Sequence, residues 1–147
     1  MTSSNQFPPS MRDRVPFLLY RAAEVSHALA NEMLGELALG ARQVGILTII
    51  TEVGPMTQKA LADALRIDRT TMVVLLDDLE KRGLVVRGRH PKDRRAFLIK
   101  PTRTGRKLKV AAVKILNEQQ EIFLAPLTSS ERNAMAAALK KLNASRS

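Results

Sequence analysis

The sequence predicts a mainly α fold with a small β-hairpin wing: a winged helix-turn-helix set between long N- and C-terminal dimerisation helices. Three observations predict it. Two short amphipathic segments, 58–65 and 69–82, are joined tightly through Leu65-Arg66-Ile67, as in a helix-turn-helix. Two β-branched or aromatic runs, 84–87 and 96–99, bracket the basic tip GRHPKDRR, the pattern of a hairpin. Residues 82–109 hold eleven of the 24 Lys/Arg and a single acid, Asp93, so the whole net charge of +10 lies there and the rest of the chain is balanced. A clustered positive field on a neutral body is the footprint of a polyanion partner, first of all double-stranded DNA.

The helices follow from local chemistry. Residues 1–14 lack the charged-then-apolar layout of a signal segment and read as a flexible arm. Pro16 suits a first helical position, because its missing N–H would be unpaired there. The helix it opens runs to about Leu37 with a small-residue stripe at Leu19, Ala22, Ala23, Ser26, Ala30 and Met33. Arg42–Glu52 is a second helix, stopped by Gly54-Pro55. Thr57 caps the helix QKALADAL, since its hydroxyl accepts from an otherwise unpaired first-turn N–H. Met56 and Leu61 stand at hydrophobic-staple positions, and Asp68 caps the next helix with Ile67 stapling to Met72. Met72, Val73, Leu76 and Leu79 form the expected buried face. The turn lacks the glycine often found there, and Gly83 ends the helix. Thr102 caps a long helix to about Leu124, Pro126 breaks it, and Thr128-Ser129-Ser130-Glu131 is a capping box for a last helix to about Leu142. The organisation is thus an arm (1–14), a winged helix-turn-helix (41–101) and flanking dimerisation helices (15–40 and 102–147).

Composition narrows the function. The chain has 147 residues and no cysteine, which removes disulfides, thiolate metal sites and thiol switches and suits a cytoplasmic setting. No apolar run reaches the ~18–20 residues that span a membrane. Aromatic residues make up 3% of the chain, too few for stacking on single strands or RNA. No catalytic set, nucleotide loop or metal motif is present, so neither an enzyme nor a cofactor is expected. His27 and His90 lie in different elements. His90 is expected to face phosphate or solvent.

In a helix-turn-helix the second helix enters the major groove N-terminal end first. Arg69, Thr70 and Thr71 would then meet base edges and phosphates. Arginine bonds guanine in bidentate fashion, and threonine donates to phosphate or touches a thymine methyl. A wing tip needs an arginine to enter the minor groove, and the stretch Arg87–Arg95, with Arg94 and Arg95 beside Asp93, would supply it. Asp93 is placed to pair with a wing arginine. Arg87, Arg89, Lys92, Lys59 and Lys100 are candidate contacts to the DNA backbone. Asp77 and Glu80 are expected to pair with Lys81, Arg82 or wing arginines.

The stretch from Leu61 to Leu108 resembles the core of the MarR family of bacterial transcriptional regulators. The resemblance rests on Leu61-Ala62, on Leu79-Glu80-Lys81-Arg82-Gly83-Leu84-Val85, and on Asp93-Arg94-Arg95 as an Asp-x-Arg wing. It implies a homodimer whose terminal helices interlock, with Arg95 in the minor groove and Asp93 as its orienting partner. Wide apolar faces on the outer helices, with Leu18, Leu19, Ile122, Met135 and Leu142 among them, ask independently for a two-fold partner. The resemblance further implies release from DNA by a small aromatic or phenolic effector. Tyr20, His27 and Met33 are the candidate ligand-lining residues, and they fit interface packing equally well. Two positions depart from the family pattern. Val74 and Leu75 stand where relatives carry polar readers, so Val74 either contacts thymine methyls or leaves fewer bases read. Pro101 replaces the usual leucine before Thr102-x-x-Gly105 and should end the second strand sharply. The expected function is a repressor on a pseudo-palindromic operator. An effector-independent architectural DNA binder and a protein-interaction winged helix remain the alternatives.

Overall fold

The structure is a computed structural model that describes residues 6–145. Helices α1 (Pro9–Arg12), α2 (Val15–Leu34) and α3 (Ala41–Glu52) are followed by strand β1 (Met56–Thr57). Then come α4 (Gln58–Leu65), α5 (Arg69–Lys81), β2 (Val85–Arg89), β3 (Phe97–Pro101), α6 (Arg103–Leu124) and α7 (Ser129–Ala144). The fold is mainly helical with a small antiparallel sheet, as the sequence predicts.

The predicted caps form. The Thr57, Asp68 and Thr102 side chains accept the N–H groups of Ala60, Thr71 and Gly105 at 3.1, 2.8 and 3.0 Å. Thr128 and Glu131 exchange the two bonds of a capping box. Such a cap contributes about 1 kcal/mol. Gly83 ends α5 with φ +70°, a left-handed conformation that glycine adopts without a Cβ penalty. In the helix-turn-helix the corresponding position is Arg66, at φ 51°. The turn therefore uses a left-handed arginine where glycine is usual. It is held by the Ile67 N–H bond to the Ala62 carbonyl, 3.0 Å.

Several boundaries differ from the sequence expectation. Residues 1–5 lie outside the described residues, but the rest of the expected arm carries the α1 turn. There Phe7 meets Phe17 edge-on at 5.0 Å between ring centroids. The long first helix stops at Leu34, and Gly35–Leu37 continue as a 3₁₀ turn closed by a left-handed Ala38. Both wing strands lie one residue later than expected at their starts and two later at their ends, so the tip is 90–96. β3 ends at Pro101, which sits opposite Val85. Strand β1 was not expected. It pairs with β3 through Met56–Ile99 and Thr57–Leu98, giving the order β1-β3-β2.

One core joins α3, α4, α5 and the sheet. Ile46, Leu47, Ile50, Leu61, Met72, Leu76, Leu79, Val85 and Ile99 are fully enclosed. Val73, expected inside, is 37% exposed. The buried stripe of α5 is Met72, Leu76 and Leu79 at i, i+4 and i+7, and Val73 lies beside it. The outer helices bury much less. α2 buries only Ala30 and Leu34, and α7 buries no residue. α2 packs on α6, where buried Gln119 donates to the Ser26 carbonyl and hydroxyl oxygens at 3.1 and 3.2 Å. No single helix among the described residues is long and apolar enough to cross a membrane.

Candidate nucleic-acid interface

Helix α5 and the β2–β3 wing are joined by charge. Arg87 on β2 pairs with Asp77 at 2.8 Å and with Glu80, both on α5. The expected pairing of these two acids is therefore with a wing arginine. Its consequence is that Arg87, a backbone-contact candidate, already has two carboxylate partners and braces the wing against the helix. Arg82 is likewise engaged. Its guanidinium donates to the Leu37 and Ala38 carbonyls at 2.9 and 2.6 Å and lies 3.6 Å from Asp78. Asp78 also accepts from buried Gln43 at 2.7 Å. Lys109 pairs with Glu52 at 2.5 Å. Among the described residues no ion pair involves the other eight cations of 82–109, so most of the positive field is unneutralised.

The wing tip has its own internal order. His90 Nδ1 accepts the N–H groups of Lys92 and Asp93, each at 3.1 Å. The backbone closes the tip through His90 N–H to the Ala96 carbonyl, 3.1 Å, and Ala96 N–H to the Asp93 carbonyl, 3.2 Å. Asp93 accepts the backbone N–H of Arg95 at 2.9 Å. The expected Asp93–arginine partnership is thus made through the main chain rather than the guanidinium. A short acidic side chain reaches the N–H two residues on more readily than a mobile cation. Arg89, Lys92, Arg94 and Arg95 are all exposed. The sequence reading left His90 to phosphate or solvent and so missed its part in the tip.

At the start of α5, Arg69 and Thr70 are exposed and Thr71 is half-buried. Asp68 accepts both from the Thr71 hydroxyl, 2.6 Å, and from its N–H. These two bonds hold the Asp68 carboxyl below the usual aspartate range, and the charge of Arg42 acts in the same direction. The Thr71 hydroxyl is therefore spent as a donor. Lys59 and Arg69 line an open groove of about 580 Å³ between α4 and the start of α5, together with the acidic Asp63 and Asp68. Lys100 is exposed on β3, with its aliphatic stem passing over Gly88.

The three effector candidates all lie on α2 but not together. His27 lines a shallow surface trough with Arg21, Glu24, Val25, Ala28 and Asn31. Tyr20 shares that side of the helix, 61% exposed. Its hydroxyl bonds to Glu24, which raises its pKa above the usual value. Met33 is half-buried and stands about 120° around the helix from His27.

Comparison with known proteins agrees with this architecture. The MarR family model matches residues 39–97. A regulatory protein described for the hcr operon of Thauera aromatica is 33% identical over 98 residues, which are 67% of this chain and 59% of that protein. The transcriptional repressor NicR of Pseudomonas putida is 26% identical, with 92% of this chain and 85% of NicR aligned. The solved structure of Bordetella bronchiseptica BpsR, whose DNA binding is regulated by 6-hydroxynicotinic acid, matches with a TM-score of 0.83 at 26% identity. That match covers 93% of this chain and 98% of BpsR. With its winged helix-turn-helix, basic wing and long outer helices, the chain belongs to the MarR family of transcriptional regulators.

Proposed function

We propose that the chain is a homodimeric repressor. It binds a pseudo-palindromic operator whose half-sites lie about one helical turn apart. The observation that carries this reading is the joining of α5 to a wing with four exposed, unneutralised cations, Arg89, Lys92, Arg94 and Arg95. In this reading Arg69, Thr70 and Val74 meet the major groove and Arg95 enters the minor groove. Lys59, Lys92 and Lys100 neutralise phosphates. Thr71 serves as an acceptor and a methyl contact, because its proton goes to Asp68. Arg87 holds the wing at its angle to α5 rather than reaching a phosphate.

The dimer is supported by what the single chain leaves bare. Leu18, Ile122 and Leu142 are 52%, 57% and 56% exposed on the outer helices, and a two-fold partner would cover them. NicR supports the repressor assignment, and BpsR supports a small aromatic effector. For that effector the trough at His27 and the neighbouring Tyr20 are the first residues to probe. Met33 belongs to a different side of α2. A cysteine-free chain has no thiol signal to use.

Selection of duplex DNA from a random pool by the purified chain, near physiological salt, tests the proposal. An enriched palindrome is expected. DNA retained without an enriched sequence would make the chain an architectural binder, and no retention would shift the function to an acidic protein partner.

A further inference from the structure

The outward face of α5 is poor in free hydrogen-bonding groups and rich in methyls. We infer that this helix reads pyrimidine 5-methyl groups, so that each operator half-site places thymine against Val74 and Val73. The inference rests on the DNA-binding reading above and specifies the base that this surface selects.

The buried stripe of Met72, Leu76 and Leu79 turns Arg69, Thr70, Val73, Val74 and Asp77 outward. The Thr71 hydroxyl and the three carboxylates of the helix can each be followed to a partner. The Thr71 hydroxyl and N–H both go to Asp68, at 2.6 and 2.8 Å. Asp77, an acceptor suited to the cytosine amino group, is held by Arg87 at 2.8 Å. Glu80 is held by the same guanidinium. Asp78 is held by Gln43 and Arg82. What remains is the Arg69 guanidinium and the Thr70 hydroxyl at the helix start, the exposed Lys81 ammonium in the last turn, and between them the methyls of Thr70, Val73 and Val74. Val74 is 63% exposed and Val73 37% exposed. Val73 follows Arg69 by four residues and Val74 follows Thr70 by four, so the valines continue the two rows that begin at the N-terminal end.

The major groove offers one apolar group on its base edges, the thymine 5-methyl. Valine against that methyl removes apolar surface from water on both sides, whereas valine against an amino or keto group leaves a polar edge unpaired. The surroundings select nucleic acid over an apolar protein surface. Arg69 stands on the same helix, and Arg87 ties that helix to the wing that carries Arg89, Lys92, Arg94 and Arg95.

The test runs the same selection on two random duplex pools, one with thymine and one with uracil in its place. The thymine pool is expected to enrich a motif with thymine in each half-site. That duplex, remade with uracil at single positions, should bind about fourfold more weakly for each methyl in contact, the factor that burying one such group supplies. Val74→Ser should lose the thymine–uracil difference at the position facing Val74 and keep the one facing Val73, and Val73→Ser the reverse. The melting temperature of Val74→Ser should be unchanged, because the residue is outside the core. The inference is overturned by a shared motif of equal affinity in both pools, or by a motif without thymine. It is also overturned if Val74→Ser and Val73→Ser both keep the full difference. DNA retained from both pools without any motif overturns it too, while leaving a sequence-tolerant DNA binder. No DNA retained from either pool overturns the DNA-binding reading itself.

Discussion

The first turn of α6 is laid directly against the backbone of Leu84, so that a Cβ on Gly105 would collide with the Leu84 carbonyl oxygen. The same contact is locked by Thr102. Its N–H donates to that carbonyl at 3.1 Å, and its hydroxyl donates to the Gly83 carbonyl at 2.6 Å. The obstructing atom is main chain, so it cannot swing aside as a side chain would. Gly105→Ala should therefore destabilise the fold by roughly 1–3 kcal/mol, the usual cost of overpacking. Urea unfolding of the variant checks this. A midpoint equal to that of the unaltered chain would mean that the junction is more open than described.

Arg95 and Arg87 should separate cleanly in mutagenesis. Arg95 is exposed, with only its backbone N–H engaged. Arg95→Ala is expected to leave the melting temperature unchanged and to weaken operator binding by ~1–3 kcal/mol. Arg87 is tied to Asp77 and Glu80 with its side chain 27% exposed. Arg87→Ala should cost up to about 1 kcal/mol of folding stability, since such pairs are partly screened. Paired melts and binding titrations read both effects. Unaltered affinity in Arg95→Ala would remove Arg95 from the minor groove.

Binding should weaken steeply with salt, because each phosphate neutralised releases counterions. Titrations between about 50 and 200 mM salt are expected to show a loss of ~10³-fold or more if six or more phosphates are engaged. Lys59→Ala and Lys100→Ala should each flatten the slope by about one. A flat response in the unaltered chain would contradict the electrostatic argument.

The cap of α5 should be acid-labile. Asp68 titrates below its usual range because Thr71 donates twice to the ionised form. A carboxyl whose folded pKa is depressed contributes stability above its unfolded pKa and loses it as pH falls through the lower folded value. Asp68→Asn keeps an acceptor that does not titrate. The melting-temperature difference between the two proteins should therefore hold constant from neutral pH to about pH 5 and change below about pH 4. A difference that is constant down to pH 2 would show that the cap carries no such linkage.

Leu18→Glu and Ile122→Glu should produce folded monomers that bind the palindrome poorly, as read by sedimentation equilibrium and titration. Both side chains are more than half exposed, at 52% and 57%, so the single-chain core does not need them. An unaltered chain that sediments as a monomer at micromolar concentration would remove the dimer.

The sequence by itself determined whatever depends on neighbours along the chain. Thr57, Asp68, Thr102 and the Thr128–Glu131 pair act over three residues, so the helix starts could be read directly. The same holds for Gly83 and for the stripe of Met72, Leu76 and Leu79. The basic wing was legible because charge is a property of composition. The tertiary structure decided what depends on residues far apart in sequence. Strand β1 exists only because β3 passes beside Met56 and Thr57. Arg82 reaches carbonyls more than forty residues back at Leu37 and Ala38, and Gln43 finds Asp78. Arg87, read as one more cation for DNA, met two carboxylates on α5 and became a brace. Local hydrogen bonds are chosen by residue type at fixed spacing. The partner of a long charged side chain is chosen by whichever group the packed core brings within reach.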